Sequence, residues 1–494
     1  MVNLDLSGRT RLDACPGALQ VHAAADGGLA RVRVPGGRLT AAQLRELALA
    51  AAGYGTGVIE LTSRANVQVR GLRSRVGVEN EGRAAAGADA GQESGAGTAG
   101  EAVPGFADRM ARAGLLPSST HERVRNILAS PLTGCDDAGA MDVGPLVAEL
   151  DRRLCSRPAL AGLPGRFLFA LDDGRGDVAG LGADAGTSPV DADETGAAHG
   201  ADGTGRTDSL GGADSLDEVA LIIAGADSGL RVPRDGAVPA LLAVAEAFLA
   251  ELSARAVTAW RIGELPGGPA AVTTRVRAAL GLRSGEPVRL RHAVRGPVGI
   301  IPGRDGRVAL GVTVPLGRLT SAQAGLLADA AASGEVRLTP WRGVVLPGLT
   351  RPESEAAIAA LSGAGLVAAP GSAWDGVSAC TGRPGCAKSL TDVRSDAATA
   401  IATTVASGSG PERSSPPGGG ERPVGEGRGS PGAEGGTLPV HWAGCERRCG
   451  RPRGRVVEVV ATGDGYRVDL DDRSLTFTDI GQTAAAVAAA RGEK

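Results

Sequence analysis

Polar and apolar positions alternate along Arg31-Val32-Arg33-Val34 and again along Gly311-Val312-Thr313-Val314, the period of a half-buried strand. A turn with Pro and Gly follows each, and then a helical pattern begins. Leu44, Leu47, Ala48 and Ala51 recur at i, i+3, i+4 and i+7, one apolar stripe to lay on a sheet. Thr40 with Gln43, and Thr320 with Gln323, have capping-box spacing, so the helix start is predicted twice. The strand VIELT at 58–62 is expected to return alongside the first strand.

The two regions are copies. VPGGRLTAAQ at 34–43 and VPLGRLTSAQ at 314–323 agree at eight of ten positions, and GVIELT at 57–62 is echoed by GEVRLT at 334–339. A spacing this far beyond the roughly 20 to 50 residues of a solenoid points to duplication of one large unit. A β-α-β unit in each half, able to pair with its twin, implies an α+β or mixed α/β architecture. Three Gly- and Ala-rich segments, at about 82–105, 180–215 and 407–436, lack any periodic apolar pattern and read as disordered insertions.

A chain of 494 residues exceeds the ~250 to 300 at which single cores stop growing, so two or more domains are expected. The net charge of -3 argues against a general nucleic-acid binder, and any polyanionic ligand would need local arginines. The N-terminus does not read as a secretory signal, which makes a cytoplasmic location the expectation. The longest apolar run, near 219–226, is too short to span a bilayer, so no membrane association is expected.

Seven cysteines, at 15, 135, 155, 380, 386, 445 and 449, favour metal ligation or plain burial over a disulfide framework in such a chain. Cys380 and Cys386 form a C-x5-C pair, and Cys445 and Cys449 a C-x3-C pair. Structural zinc sites use spacers of about 2 to 4 residues, so the first pair is a poor zinc knuckle. Four thiolates in two Gly-rich loops suit a [4Fe-4S] cluster better, because glycines let backbone amides approach the sulfurs. The simpler alternative is four buried structural cysteines, against which stand the two compact pairs. Cys15, Cys135 and Cys155 read instead as core residues.

The duplicated half, T-x-R-x-N-x-Q (Thr62, Arg64, Asn66, Gln68), RNI followed by SP at 125–131, LPGRF at 163–167 and the two cysteine pairs together resemble the siroheme nitrite/sulfite reductase superfamily. The resemblance covers most of the chain apart from the insertions. Within the superfamily, ACPG at 14–17, FALDDG at 169–174, ACTGRPGCAKS at 379–389 and TDVRSDA at 391–397 are most similar to the precorrin-3B synthase family. The resemblance implies an α+β, duplicated reductase-like fold. It would have ferredoxin-like half-domains at 10–75 and 285–350, and larger α/β cluster/tetrapyrrole domains at 106–265 and 351–494. It also implies a [4Fe-4S] cluster on Cys380, Cys386, Cys445 and Cys449, and tetrapyrrole or anion contacts from Arg64, Arg125 and Arg166. The implied reaction is oxygen-dependent hydroxylation of precorrin-3A with lactone formation, in aerobic cobalamin biosynthesis. Dioxygen, a non-heme iron and an electron-donor reductase or ferredoxin would take part.

Planar guanidinium forks suit tetrapyrrole carboxylates. Arg31, Arg33 and Arg38 are weaker candidates than the three above, since alternate basic residues on a half-exposed strand need no ligand. Two departures matter. Where the reductases carry a basic pair for a small oxyanion, this chain reads Pro164-Gly165-Arg166-Phe167-Leu168; and Glu446, Arg447 and Arg448 replace the Lys often found between the last two cysteines. The first weakens a reductase reading, since multi-electron reduction of an oxyanion needs donors for developing charge. The five histidines show no H-x-D or H-x-E arrangement, so neither iron ligands nor catalytic residues are identified. His441 lies four residues before Cys445 and reads as hydrogen-bonded structure as readily as a cluster neighbour. GRGDVAG at 174–180 does not satisfy a dinucleotide fingerprint. Two further classes remain: a siroheme-dependent nitrite or sulfite reductase, and a non-catalytic iron-sulfur tetrapyrrole-binding protein.

Overall fold

Both capping boxes form in the computed structural model of the chain, which describes residues 13, 15–73, 99–100, 103–190, 218–290, 295–406 and 437–493. Thr40 Oγ1 accepts from the Gln43 amide at 3.1 Å and Gln43 Oε1 accepts from the Thr40 amide at 3.0 Å. Thr320 and Gln323 repeat this at 3.2 and 2.9 Å. Each box satisfies two of the amides that a helix start leaves without partners. The helices Ala41–Tyr54 and Ser321–Ala330 bury Leu44, Leu47, Ala48 and Ala51, and Ala324, Leu327 and Ala328, in one shared core.

The twin halves exchange strands. One sheet runs Arg318–Thr320, Val58–Leu61, Val67–Leu72, Gly27–Val32, Val21–Ala24, Ala99–Gly100, and the other Gly299–Pro302, Val308–Thr313, Gly343–Leu349, Glu335–Leu338, Arg38–Thr40. Each half therefore donates its short strand after the Pro-Gly turn to the sheet of its twin, with Leu319 opposite Ile59 and Leu39 opposite Val336. The pairing of the halves is borne out, but VIELT does not return beside the first strand. Val67–Leu72 lies between them, pairing antiparallel with both.

Two further sheets share a topology. Ile127–Ala129, Phe169–Leu171 and Ala185–Pro189 are parallel and continue antiparallel into Glu218–Ile223, Ala226–Pro233 and Arg283–Ser284. Val377–Ala379, Val440–Ala443 and Val457–Ala461 are parallel and continue antiparallel into Tyr466–Leu470 and Arg473–Phe477. The α+β class is thus observed.

The insertion expected at 180–215 starts too early, because Ala185–Pro189 is an interior strand with Ala185 fully buried. Small residues suit its close contacts: a Cβ on Gly186 would stand 2.9 Å from the Ala170 carbonyl. Residues 191–215 and 407–436 lie outside the described residues. The segment expected at 82–105 is partly structured, since Ala99–Gly100 pairs with Val21–Ala24 and a helix starts at Pro104. The most apolar helix is Ala237–Arg255, with Val238, Leu241, Leu242 and Phe248 buried in the second core. By length and composition alone it passes for a membrane span; its apolarity is that of a helix covered on several sides.

Candidate functional site

Parallel pairing brings the two cysteine pairs together. Val377–Ala379 and Val440–Ala443 run side by side, so the loops after them, with Cys380 and Cys386 and with Cys445 and Cys449, leave at the same sheet end. Ligand sites in parallel sheets form at such carboxyl ends. The Cys380 amide donates to the Trp442 carbonyl at 2.8 Å, and the Gly444 amide donates to Cys380 Sγ at 3.2 Å. Burial, and next the thiols of Cys380 and Cys445, push the Cys449 thiol up, with Cys386 adding to the effect. The four thiols are therefore electrostatic neighbours. Among the described residues, however, no three of them offer ligand atoms within 4.8 Å of one another. A zinc tetrahedron with Zn–S near 2.3 Å needs sulfurs about 3.8 Å apart, so this donor set fits a group larger than one ion, such as a [4Fe-4S] cluster.

The loops are pinned to the half-domains by arginine. Arg70 holds Asp26 at 2.9 Å and donates to the Gly385 carbonyl at 2.6 Å. Arg394 pairs with Glu60 at 2.6 Å and donates to the Cys380 carbonyl at 3.2 Å. Arg342, at φ 59° in the turn equivalent to that of Ala65 at φ 51°, donates to the Gly450 carbonyl at 3.2 Å. His441 is fully buried, its Nδ1 2.9 Å from Ser378 Oγ, and burial followed by Arg342 pushes its pKa down to about 3. It is a neutral structural imidazole.

Alongside the cysteine loops lies a polar sheet face. Arg31, Gln68, Glu60 and Arg318 stand opposite one another across four adjacent strands. At one side of this floor gather Arg33, Arg64, Arg166, Arg261 and Arg453. Arg64 Nη1 donates to the Arg166 carbonyl at 3.1 Å. Burial, then the Arg261 and Arg33 charges, push Arg64 down to about 9; burial and Arg33 push Arg31 down to about 10. Arg166 lies 4.4 Å over the Trp260 ring and 3.7 Å from Asp13. Arg453, from the chain beyond Cys449, lies against Gly182, where any Cβ would collide with its guanidinium and φ is 70°. Arg261 pairs with the buried Asp184 at 2.5 Å, whereas Arg31 and Arg64 face like charges that a bound anion would offset.

The sequence-derived arginines divide. Arg64 and Arg166 sit in this cleft, whereas Arg125 does not serve it: both Asp151 oxygens accept from its Nε and Nη2 at 2.7 Å, and its Nη1 donates to the Leu115 carbonyl at 3.1 Å. Arg125 is 4% exposed, so the contact expected of it is corrected to an internal ion pair. Arg31 and Arg33, ranked low on the sequence, belong to the cleft, and Arg261 and Arg453 were missed. Lying about 200 and 390 residues from Arg64, they carry no local signal. Arg38 pairs instead with Glu335.

Among the described residues one compact set of metal-type donors occurs, Asp172, Asp173 and Asp177. It is internally satisfied. Asp172 accepts from the amides of Gly174, Gly176, Val178 and Ala179, Asp173 pairs with Arg175 at 2.9 Å, and Ser130 donates to Asp177 at 2.6 Å. A cavity of about 570 Å³ opens beside Cys445, lined also by Lys388 and Arg447.

Fold and site together make a duplicated α+β scaffold with an arginine-lined cleft, similar to nitrite/sulfite reductases. The Nitrite/Sulfite reductase ferredoxin-like half domain matches residues 22–75 and again 301–364, so the chain carries that half domain twice. The chain is 27% identical to ferredoxin–nitrite reductase of Synechococcus elongatus, over 89% of this chain and 77% of that protein. It is 25% identical to precorrin-3B synthase of a Sinorhizobium species, over 92% of this chain and 82% of that protein. The fold matches the structure of Mycobacterium tuberculosis NirA protein, with a TM-score of 0.65 and 21% identity over 92% of this chain and 79% of that one.

Proposed function

We propose that the chain is a precorrin-3B synthase, hydroxylating precorrin-3A with dioxygen and closing a lactone from a neighbouring acetate. The observation that carries this reading is the cleft, in which several guanidiniums converge beside four thiols while the 164–168 segment offers a single cation. That cation, Arg166, is already engaged with Trp260 and Asp13. A large polycarboxylate finds many forks here, while the 164–168 segment lacks the basic pair that reduction of a small oxyanion would use. Similarity to a precorrin-3B synthase along nearly the whole chain adds support.

Arg31, Arg33, Arg64 and Arg453 would hold the carboxylates and fix the ring, with desolvation strengthening each pair, while Arg261 is already held by the buried Asp184. Cys380, Cys386, Cys445 and Cys449 would hold a [4Fe-4S] cluster, which when bound supplies single electrons next to the substrate. Arg70, Arg342 and Arg394 keep the two cysteine loops against the half-domains. The non-heme iron that the resemblance implies finds no ready ligand set among the described residues: the compact acidic group contains no His and its oxygens already have partners. A reductase or ferredoxin would dock near Lys388 and Arg447, beside Cys445. A cytoplasmic location belongs to the same reading.

The second reading is a siroheme-dependent nitrite or sulfite reductase, favoured by the match to a cyanobacterial nitrite reductase. The visible spectrum and metal content of anaerobically purified protein decide between them. A broad shoulder near 400 nm with about four or more irons supports the synthase. A Soret band with a red-region heme band overturns it in favour of the reductase. Zinc alone would leave a non-catalytic tetrapyrrole-binding protein. Conversion of precorrin-3A under dioxygen with a reductant then tests the activity directly.

A further inference from the structure

Cys15 stands among the cleft arginines. Its Sγ accepts from Arg31 Nη1 and from Arg33 Nη2, both at 3.2 Å. The remaining partners of these guanidiniums are neutral: Arg33 donates to the carbonyls of Arg123 at 3.0 Å and Gly165 at 2.9 Å, and Arg31 donates to Gln68 Oε1. Among the described residues neither arginine has a carboxylate within ion-pair distance, and Arg33 is 2% exposed. A buried guanidinium without an anion is costly, and the thiol is the acidic group that both of them touch. The loop bearing Gly165 presses so close that a Cβ there would stand 2.9 Å from Cys15 Cβ.

The surroundings agree. Burial pushes the Cys15 thiol up, yet the charges of Arg33 and Arg31 outweigh it and leave the thiol below its ordinary value. Asp13, whose Oδ1 accepts from the Cys15 amide at 3.2 Å, opposes them and is itself 3.7 Å from Arg166. Arg123 donates to the Asp13 carbonyl at 3.1 Å, and Glu122 on the same segment is taken by the amides of Ala18 and Leu19.

We propose that Cys15 is a positioning residue held as a thiolate, the resident counter-ion of Arg31 and Arg33, which a carboxylate of the bound tetrapyrrole displaces. This rests on the reading of the cleft as a polycarboxylate site. By linkage, a polyanion on these arginines raises the thiol's proton affinity, and protonation of the thiol favours the polyanion in return.

The test labels the full-length protein with iodoacetamide, in which the thiolate forms the S–C bond and iodide leaves, and follows each cysteine by peptide mass spectrometry across pH. Cys15 is expected to label with a midpoint below that of an unperturbed thiol, hence faster than such a thiol near neutral pH. Arg33→Gln, or Arg31→Gln if the first fails to fold, should raise that midpoint. Saturating uroporphyrin, an octacarboxylate probe, should slow Cys15 labelling about tenfold. Cys15→Ser should flatten the part of the pH dependence of uroporphyrin affinity that follows this midpoint. A Cys15 midpoint at or above the ordinary value overturns the proposal whether or not uroporphyrin binds. Bound uroporphyrin that leaves labelling unchanged overturns the displacement. A low midpoint in a protein that does not bind uroporphyrin at all supports the thiolate and overturns the tetrapyrrole reading.

Discussion

The two mixed sheets, one starting at Ile127–Ala129 and the other at Val377–Ala379, put different chemistry at the same place. Ser130 follows the strand Ile127–Ala129 as Cys380 follows Val377–Ala379, and the two side chains receive equivalent amides: Asp173 N to Ser130 Oγ at 3.1 Å, and Gly444 N to Cys380 Sγ at 3.2 Å. Beyond that contact the copies part. One loop pair carries Asp172, Asp173 and Asp177 around Arg175, and the other carries Cys445 and Cys449. One strand-end scaffold therefore supports either a self-satisfied carboxylate knot or an unsaturated thiol set, and only the second has ligand capacity left over.

The largest expected effect of breaking this contrast is on cofactor content. Cys445→Ala should abolish the iron-sulfur absorbance and most bound iron, while Ser130→Ala should change neither, as read by spectrum and metal analysis. Next is Asp172→Ala, which strands four amides that its oxygens hold. A cost of about 3 to 5 kcal/mol is expected, seen in urea unfolding of the first sheet, with iron retained. Arg64→Gln should weaken uroporphyrin binding about tenfold, or about 1.4 kcal/mol, with the melting temperature nearly unchanged. Arg125→Gln should do the reverse, because it leaves Asp151 unpaired and touches nothing in the cleft.

The smallest effect is in pH dependence, where the two sheets should differ in sign. Burial, then Asp172, push Asp177 up to about 8, far above the ordinary value of about 3.9. The folded state then holds a proton that the unfolded chain has released, so stability falls as pH rises between about 4 and 8. Asp177→Asn should remove that slope in melting experiments. In the second sheet burial pushes Asp469 up, but Arg467 and Ser474 outweigh it and hold it below the usual carboxylate range. Its contribution is present above that range and fades on acidification. A common sign for both slopes would contradict the division.

Much of the scaffold was legible because it rests on local rules. The capping boxes at Thr40 and Thr320, the apolar stripe through Leu44 and Leu47, and the duplication itself are short-range patterns, and they formed as read. The strand exchange was invisible because Arg38–Thr40 and Arg318–Thr320 look alike, and nothing local says which sheet each joins. Ala185–Pro189 was mistaken for loop because its small residues serve a crowded interior rather than a hydrophobic face. For the site, the cysteine spacing carried the thiols. The arginines needed three-dimensional bookkeeping of charge, which sorted Arg125 out of the cleft and Arg33, Arg261 and Arg453 into it.

The exchanged strands also govern the order in which the molecule can be completed. The sheet containing Val58–Leu61 lacks its edge until Arg318–Thr320 has been synthesised, roughly 15 to 50 s later at ordinary elongation rates. Throughout that interval the nascent N-terminal half presents an open strand edge, a template for pairing with neighbouring chains on the same message. Covering that edge until the second half emerges is therefore expected to raise the yield of folded protein.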